Sequence, residues 1–593
     1  IMHITRNFDL LQQYEDKFAH KEDALVSKVN GEWVKYSSKA YVQNSNFVSY
    51  GLLALGLKKG DKIATISNNR PEWNFMDMGM AQVGAVHVPL FTNLDSEGYS
   101  RIVAHAEVKY VFVADKYLAD KMSTIVSEDN LLEKVYSFDD VEGIANWKEI
   151  IELGKINALK FKEELETIKE SIKTTDCVTL IYTSGTTGNS KGVLLSHQNL
   201  MTNAAAAASV FQLQPYHRYL SVLPICHVGE RMGNYQCQLS GCSIYYSESL
   251  GSFAADLKEL KPNGFGAVPR ILEKVFDKIV DKGEKLTGIK KKLFFWALDL
   301  GLKYKINGKN GAWYALQLKL ANKLIFSKWR EAMGGNVISI GVGGAALQPR
   351  LERVFWAAGI KLLNMYGLTE TSPIITINRA NSPNLKLGTV GAVIDNAELK
   401  IAADGEILCK GTNVMIGYYK NDTATAEIID DDGWLHTGDV GVIEDGIFLR
   451  ITDRKKEIFK LSNGKYVAPQ MIENIFKESI FIDQLMVIGE GEKHTSALIS
   501  PNFEALNKWC HVKKISTSNK AELVSNTEVY ALFKKEIAVM NKVLSEDEQV
   551  KRFRLVKDEW TPLSGELSPT LKLKRKVLNE KYKIIINEIF NHG

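Results

Sequence analysis

Apolar positions along this chain change their period several times, and the changes divide it into units. Between residues 33 and 115 short apolar runs alternate with stretches of helical spacing: Lys62 to Ser67 predicts a strand, Trp73 to Val83 a helix, Val86 to Pro89 a strand and Val108 to Val113 another. Such alternation predicts a parallel sheet covered by helices. The pattern restarts beyond residue 177, with strands expected at Val178 to Tyr182, Tyr219 to Leu223, Ser243 to Tyr246, Val337 to Val342 and Lys361 to Met365. From Gly388 to Arg450 short runs broken by glycines predict a small β-rich subdomain, and the charged stretch Thr452 to Glu457 precedes a fresh apolar pattern. A chain of 593 residues exceeds one compact core. The expected fold is α/β: a large N-terminal domain (residues 1–452) of two α/β subdomains plus the β-rich one, then a smaller α+β C-terminal domain (residues 453–593).

One segment stands apart. Lys290 to Arg330 is helical, aromatic and basic, with Gly308 and Gly311 marking a turn between two helices, and it reads as an insertion between strand units. Its cluster Lys290 to Lys292, followed by Leu293, Phe294, Phe295 and Trp296, suggests peripheral contact with an anionic membrane surface. The whole chain is nearly balanced, with 74 Lys and Arg against 70 Asp and Glu, which argues against nucleic acid as a partner. Six cysteines without a C-x-x-C pair or zinc-ligand spacing read as buried thiols of a reducing compartment. No run approaches the ~18 apolar residues of a membrane span, so a cytoplasmic location is expected, and a homodimer is compatible with the composition.

The densest chemistry follows the strand ending at Tyr182. Thr183-Ser184-Gly185-Thr186-Thr187-Gly188-Asn189-Ser190-Lys191-Gly192 combines glycines that let backbone approach an anion, hydroxyls and amides that donate to phosphate oxygens, and a lysine that neutralises charge. This is a triphosphate cradle. It differs from the P-loop, in which Gly-Lys-Ser/Thr opens a helix, because here strand character returns at Val193 to Leu195.

These residues resemble the loop of adenylate-forming enzymes, a family that includes acyl-CoA synthetases, luciferases and peptide-synthetase adenylation domains. The family loop reads Tyr-Thr-Ser-Gly-Thr-Thr-Gly-x-Pro-Lys-Gly, and this chain departs from it at Ser190. The resemblance implies further sites. In Tyr366-Gly367-Leu368-Thr369-Glu370 it gives Thr369 to the α-phosphate and Glu370, with Thr183, to Mg²⁺. It assigns Gly343-Gly344-Ala345 to adenine, Asp439 to the ribose hydroxyls and Arg454 as their companion. It also makes the C-terminal domain mobile about residues 453–457, with Lys456 at the hinge position and Gly464 beside a coenzyme A channel. The adenylation lysine falls in Leu567 to Arg575, where Lys572 is the first candidate and Lys574 its competitor.

Two more segments resemble long-chain members of the family. Pro224-x-x-His227-x-x-Glu230-Arg231 would set a histidine beside the carboxylate end of an acyl tunnel, and Gly266-Ala267-Val268-Pro269-Arg270 accompanies it. The implied activity is ligation of a medium- or long-chain fatty acid to coenzyme A through acyl-AMP, consuming ATP with Mg²⁺ and releasing AMP and pyrophosphate. The alternatives are a ligase that passes the acyl group to a carrier protein, and a fatty-acid or nucleotide binding protein without turnover.

Overall fold

The computed structural model describes residues 4–125, 131–183, 190–381, 383–516, 519–561, 563–568 and 572–590. Two large sheets dominate it. In the first, Leu25–Val29, Ser243–Tyr246, Arg218–Ser221, Gly264–Ala267, Ser339–Val342 and Lys361–Gly367 lie side by side in that order, all parallel, with antiparallel strands closing both edges. In the second, Cys177–Thr183, Val86–Leu90, Lys62–Ile66, Val108–Val113 and Lys134–Ser137 form the parallel block, and Lys191–Ser196 returns antiparallel to Cys177–Thr183.

The expected strands are therefore present, but their grouping differs in one respect. Cys177–Thr183 joins the sheet of the first cycle, pairing with Val86–Leu90 through His87 and Thr179, and does not open the second sheet. Conversely Leu25–Val29 pairs with Ser243–Tyr246 across more than two hundred residues of chain. Periodicity reports the elements and not which distant edge each one seeks.

The helices Pro71–Gln82 and Val228–Leu239 have apolar or buried side chains on nearly every face, the pattern of a helix enclosed on all sides. They meet through a buried polar network. Asp77 accepts from Arg231 and from Tyr235 Oη at 2.6 Å, and its other neighbour is His87 Nδ1 at 2.7 Å. Arg231 also donates to Thr179 Oγ1 at 2.6 Å, which ties the second sheet to both helices. Burial opposes ionisation of Asp77, yet Arg231 and His87 hold its carboxyl below the usual range, while burial pushes His87 down to about 4.

The β-rich unit is a four-stranded antiparallel sheet of Ala397–Ile401, Glu406–Gly411, Leu435–Glu444 and Phe448–Arg454. Its last strand runs through Arg454, so residue 453, where sequence placed the domain boundary, lies within a strand. Beyond it a three-stranded sheet of Ile482–Ile488, Ser496–Pro501 and Arg552–Leu555 carries helices that include Pro469–Phe476 and Arg575–Lys581. Among the described residues no helix is long and apolar enough to cross a membrane. All six cysteines are free thiols, five of them buried.

Candidate functional site

Adjacent parallel strands deliver their following residues to one rim, which is where open α/β sheets bind ligands. His227 caps the helix after Arg218–Ser221, Val268 to Arg270 follow Gly264–Ala267, Gly343 to Ala345 follow Ser339–Val342, and Leu368 to Glu370 follow Lys361–Gly367. All of them line a single cavity of about 2110 Å³. Local backbone demands explain the small residues. Gly344 sits at φ +82°, and a Cβ on Gly367 would run into the carbonyl oxygen of Pro373, just before the neighbouring strand Ile374–Ile377.

Asp439 and Arg454 face each other across the antiparallel pair Leu435–Glu444 and Phe448–Arg454. Arg454 Nε lies 3.2 Å from Asp439 Oδ1, and Tyr366 donates its hydroxyl to Asp439 Oδ2 at 2.8 Å. The carboxylate is thereby fixed as an acceptor, while Arg454 and Tyr366 themselves line the cavity. Glu370 accepts from Tyr418 Oη at 2.8 Å through Oε1. Lys191 places its ammonium 4.6 Å from the centre of the Tyr418 ring, so Lys191 and Glu370 approach the same tyrosine.

Lys572, from the C-terminal domain, is half-buried in this cavity. Burial lowers its pKa to about 8, with Arg454 adding to the shift and Asp439, Glu457 and Glu370 opposing it. Lys574 also lines the cavity but is exposed, at the start of the helix Arg575–Lys581. His227 Nδ1 accepts from the Gly229 amide at 3.1 Å. Burial, aided by the charge of Lys572, pushes its imidazole down to about 4. With Nδ1 accepting, the neutral ring carries its proton on Nε2.

Of the other expected residues, Thr183 and Lys456 line the cavity, and Gly464 does not; it occupies a turn at φ +87°. Ser184, Gly185, Thr186, Thr187 and Gly188 lie outside the described residues. A Mg²⁺ site is compatible with the donors present: one carboxylate, Glu370, beside the hydroxyl-bearing Thr183 and Thr369 suits a hard cation that takes its remaining ligands from phosphate and water. No group of three or more His, Cys, Asp or Glu side chains with metal-binding geometry occurs among the described residues.

Two cavity residues carry roles that sequence did not assign. Glu230 is fully buried, accepts from Ser221 at 2.6 Å, and is pushed up to about 8 by burial against the opposing effect of that bond. It follows His227 by three residues and was visible as part of the motif, whereas its neighbour Arg231 points away into the Asp77 network. Arg270 reaches across to Asp483 of the C-terminal domain and to Glu273 at 3.2 Å. Its partner is more than two hundred residues away, so no local pattern announces it.

Below the polar rim the cavity turns apolar. Gly264, Gly266 and Gly341 leave its strand-side wall without side chains, Gly229 and Gly233 do the same on the helix Val228–Leu239, and Phe211, Leu213 and Met232 lie among the apolar lining, with Glu230, Tyr219 and Gln236 as polar groups beside them.

A parallel α/β sheet that opens onto a cleft closed by a second, smaller domain, with charged and hydroxyl side chains at its rim, is the architecture of an adenylating enzyme. The chain belongs to the AMP-binding enzyme family, whose main domain matches residues 11–419 and whose C-terminal domain matches residues 456–593. It is 31% identical over 571 residues to a long-chain-fatty-acid–CoA ligase of Mycobacterium bovis, covering 95% of this chain and 93% of that one. It is 30% identical to a long-chain-fatty-acid–CoA ligase of Xenopus laevis, covering 96% and 81%. The crystal structure of an anthranilate CoA ligase in complex with anthranoyl-AMP superposes with a TM-score of 0.73 over 98% of both chains at 16% identity, a likeness of fold.

Proposed function

We propose that this protein is an ATP-dependent long-chain fatty acid–CoA ligase that works through an acyl-AMP intermediate, with ATP, Mg²⁺ and coenzyme A as its companions. One observation carries the reading: a single cavity joins a charged end, with Lys572, Arg454 and Glu370, to a glycine-walled apolar end at Gly264, Gly341 and Leu213. A nucleotide and a fatty chain can then meet where the two ends join.

The chemistry follows from the charges. An oxygen of the fatty carboxylate attacks the α-phosphorus, the bond to the β-phosphate breaks, and pyrophosphate leaves. Both reactants are anionic, so preorganised cations and donors at the point of attack lower the barrier most. Lys572 supplies a cation, Thr369 a hydroxyl donor, and His227 Nε2 a neutral donor to the carboxylate. Bound Mg²⁺ would be held by Glu370, with Thr183 near, and supplies charge neutralisation of the phosphates. In the second step the coenzyme A thiolate attacks the acyl carbonyl and AMP leaves, AMP being a far better leaving group than hydroxide. Asp439 and Arg454 hold the ribose through both steps.

Purified protein given palmitate, ATP and Mg²⁺ is expected to form AMP and pyrophosphate and to consume thiol only when coenzyme A is present. Acyl-AMP that accumulates while coenzyme A stays unreacted would replace this reading with transfer to a carrier protein. Absence of AMP with a graded panel of fatty acids would replace it with binding without turnover.

A further inference from the structure

The basic insertion folds as the helices Gly288–Leu302 and Ala312–Ala321, the latter continuing through Asn322–Phe326 and Ser327–Ala332. Sequence pointed to Lys290 to Lys292 followed by Leu293, Phe294, Phe295 and Trp296 as its membrane-facing cluster; the lysines are exposed, Leu293 is half-buried, and the aromatic part is corrected by the structure. Phe294 is buried, and Phe295 and Trp296 pack half-buried against the core beneath. The exposed apolar surface is elsewhere: Trp313, Leu316, Leu320 and Leu324 are 71%, 59%, 49% and 39% exposed. Trp313, Leu316 and Leu320 fall within about 60° of arc at roughly 100° per residue on the α-helix, and Leu324 follows on the wider-turned π-helical segment Asn322–Phe326, one exposed apolar stripe. The opposite face is already occupied, since Tyr314, Leu318 and Ile325 pack against the core, Tyr314 donates to the Leu300 carbonyl at 2.5 Å, and Asn322 donates to the Ala357 carbonyl at 2.9 Å. This rod is apolar on both faces, and only one of them is covered.

Charge identifies the cover. From Lys285 to Arg330 the chain has eleven Lys and Arg residues against Asp299 alone, a surplus of ten where the whole chain has a surplus of four, so the remainder is net acidic. Lys319 and Lys323 flank the stripe on its own helix and are exposed, as are Lys290 to Lys292 on the neighbouring one. At the turn between the helices a cleft of about 660 Å³ is lined by Lys303, Lys305, Lys309, Arg353 and Lys386. Three of these are engaged, Lys303 with Asp299, Lys386 with Glu444 and Asp445, and Arg353 with the Leu302 carbonyl at 2.9 Å. A second copy of the chain seated symmetrically on this face would bring the surplus against itself. An acidic surface with an apolar interior meets both requirements.

We propose that the rod Ala312–Ala332 lies in the plane of an anionic lipid bilayer, with Trp313, Leu316, Leu320 and Leu324 in the acyl boundary and the flanking lysines at the headgroups. Such docking combines apolar insertion with headgroup attraction. It involves no catalytic residue, so it stands or falls independently of the ligase reading. The whole chain, mixed with vesicles of phosphatidylcholine alone or with 30 mol% phosphatidylglycerol, is the test by flotation. Binding is expected only to the anionic vesicles and to weaken with salt. Leu316→Glu combined with Leu320→Glu should abolish it, and neutralising Lys290 to Lys292 with glutamine should weaken it about fivefold per charge. Both substitutions alter exposed side chains, so the unfolding midpoint and AMP formation in vesicle-free buffer should stay as in the parent. Absence of flotation, or flotation indifferent to the glutamates, overturns the proposal. A dimer in sedimentation that the glutamates dissociate overturns it in favour of a second copy.

Discussion

Lys572 combines two properties that a cation working on phosphate needs: it is sheltered, and the charges that act on it are Arg454, Glu457 and Glu370 of the cavity lining and Asp439 behind them. A lysine is cationic below its pKa, and that pKa is lowered here to about 8. Adenylation kcat/KM, which reports the free enzyme, should therefore fall as pH rises through about 8. Thioester formation from supplied acyl-AMP should lack that limb. Lys572→Ala should cost the first half-reaction about 10²–10³-fold, the usual scale for one stabilising group at a developing charge, and leave the second within a few-fold. Equal losses in both steps would remove the role from Lys572, and an unaffected first step would move it to Lys574. His227, pushed down to about 4, should add no limb of its own between pH 5 and 7. At this scale the sequence was informative where a residue type is rare in its context. Thr369, Glu370, Asp439 and Arg454 stand in motifs whose spacing means something, and the fold sets Thr369, Glu370 and Arg454 along one cleft with Asp439 bound to Arg454 just behind it. Glu230 and Arg270 were quoted only as parts of motifs, because what matters about them is burial and a remote partner, neither of which is written locally.

Among the elements, the two enclosed helices and the glycine-walled strands divide stability from specificity. Asp77 and Arg231 are wholly buried and charged, and breaking such a pair from one side leaves an uncompensated ion at a cost of about 3–5 kcal/mol. Asp77→Ala should lower the first chemical-unfolding transition by that order, and adding Arg231→Met should recover much of the loss. No recovery in the double variant would mean the network acts through its shape and not through charge balance. On the strand side, a Cβ at Gly341 would lie 2.8 Å from Met365 Cε and 2.9 Å from Phe211 Cζ, both ends of movable side chains. Gly341→Val should therefore fold and narrow the apolar depth. Shortening the accessible chain by about three methylenes, at about 0.8 kcal/mol each, predicts roughly a fiftyfold drop in kcat/KM for palmitate with octanoate nearly unchanged. A uniform drop across chain lengths would place Gly341 outside the acyl path. The elements themselves were readable because strands such as Lys62–Ile66, Val108–Val113 and Ser243–Tyr246 are short, apolar and bounded by polar turns. Leu25–Val29 and Gly264–Ala267 escaped, the first half-exposed and mixed in polarity, the second half glycine, with two residues lacking any side chain to register a period.

For the molecule as a whole, charged contacts both brace the C-terminal domain internally and tie it to the main domain. Within the C-terminal domain Arg575 spans Glu457 at 2.9 Å and Glu473 at 2.7 Å, while Arg270 meets Asp483 and Lys508 meets Asp281 at 2.8 Å between the domains. Asp453 is buried, accepting from the Arg454 amide at 2.5 Å and from the Gln470 amide at 3.0 Å, at the first turn of the helix Pro469–Phe476. Burial pushes its carboxyl up to about 6 despite those two bonds, with Glu473 and Glu457 adding to the rise. If the hinge proposed at 453–457 opens, this carboxyl returns to water and to an ordinary value near 3.9. The arrangement seen here then binds the proton more tightly than the opened one. Its advantage is complete below about pH 4 and is lost as pH rises through 6, so that near neutrality an ionised, buried Asp453 favours opening. Asp453→Asn mimics the protonated form and should fix the balance toward the closed arrangement. The measurement is the ratio of adenylation to thioester formation between pH 5.5 and 7.5, a window below the Lys572 limb. Both ratios should fall as the coenzyme A thiol ionises with rising pH, and the parent's should fall more steeply than the variant's. Parallel slopes in the two proteins would show that Asp453 does not couple proton binding to the hinge.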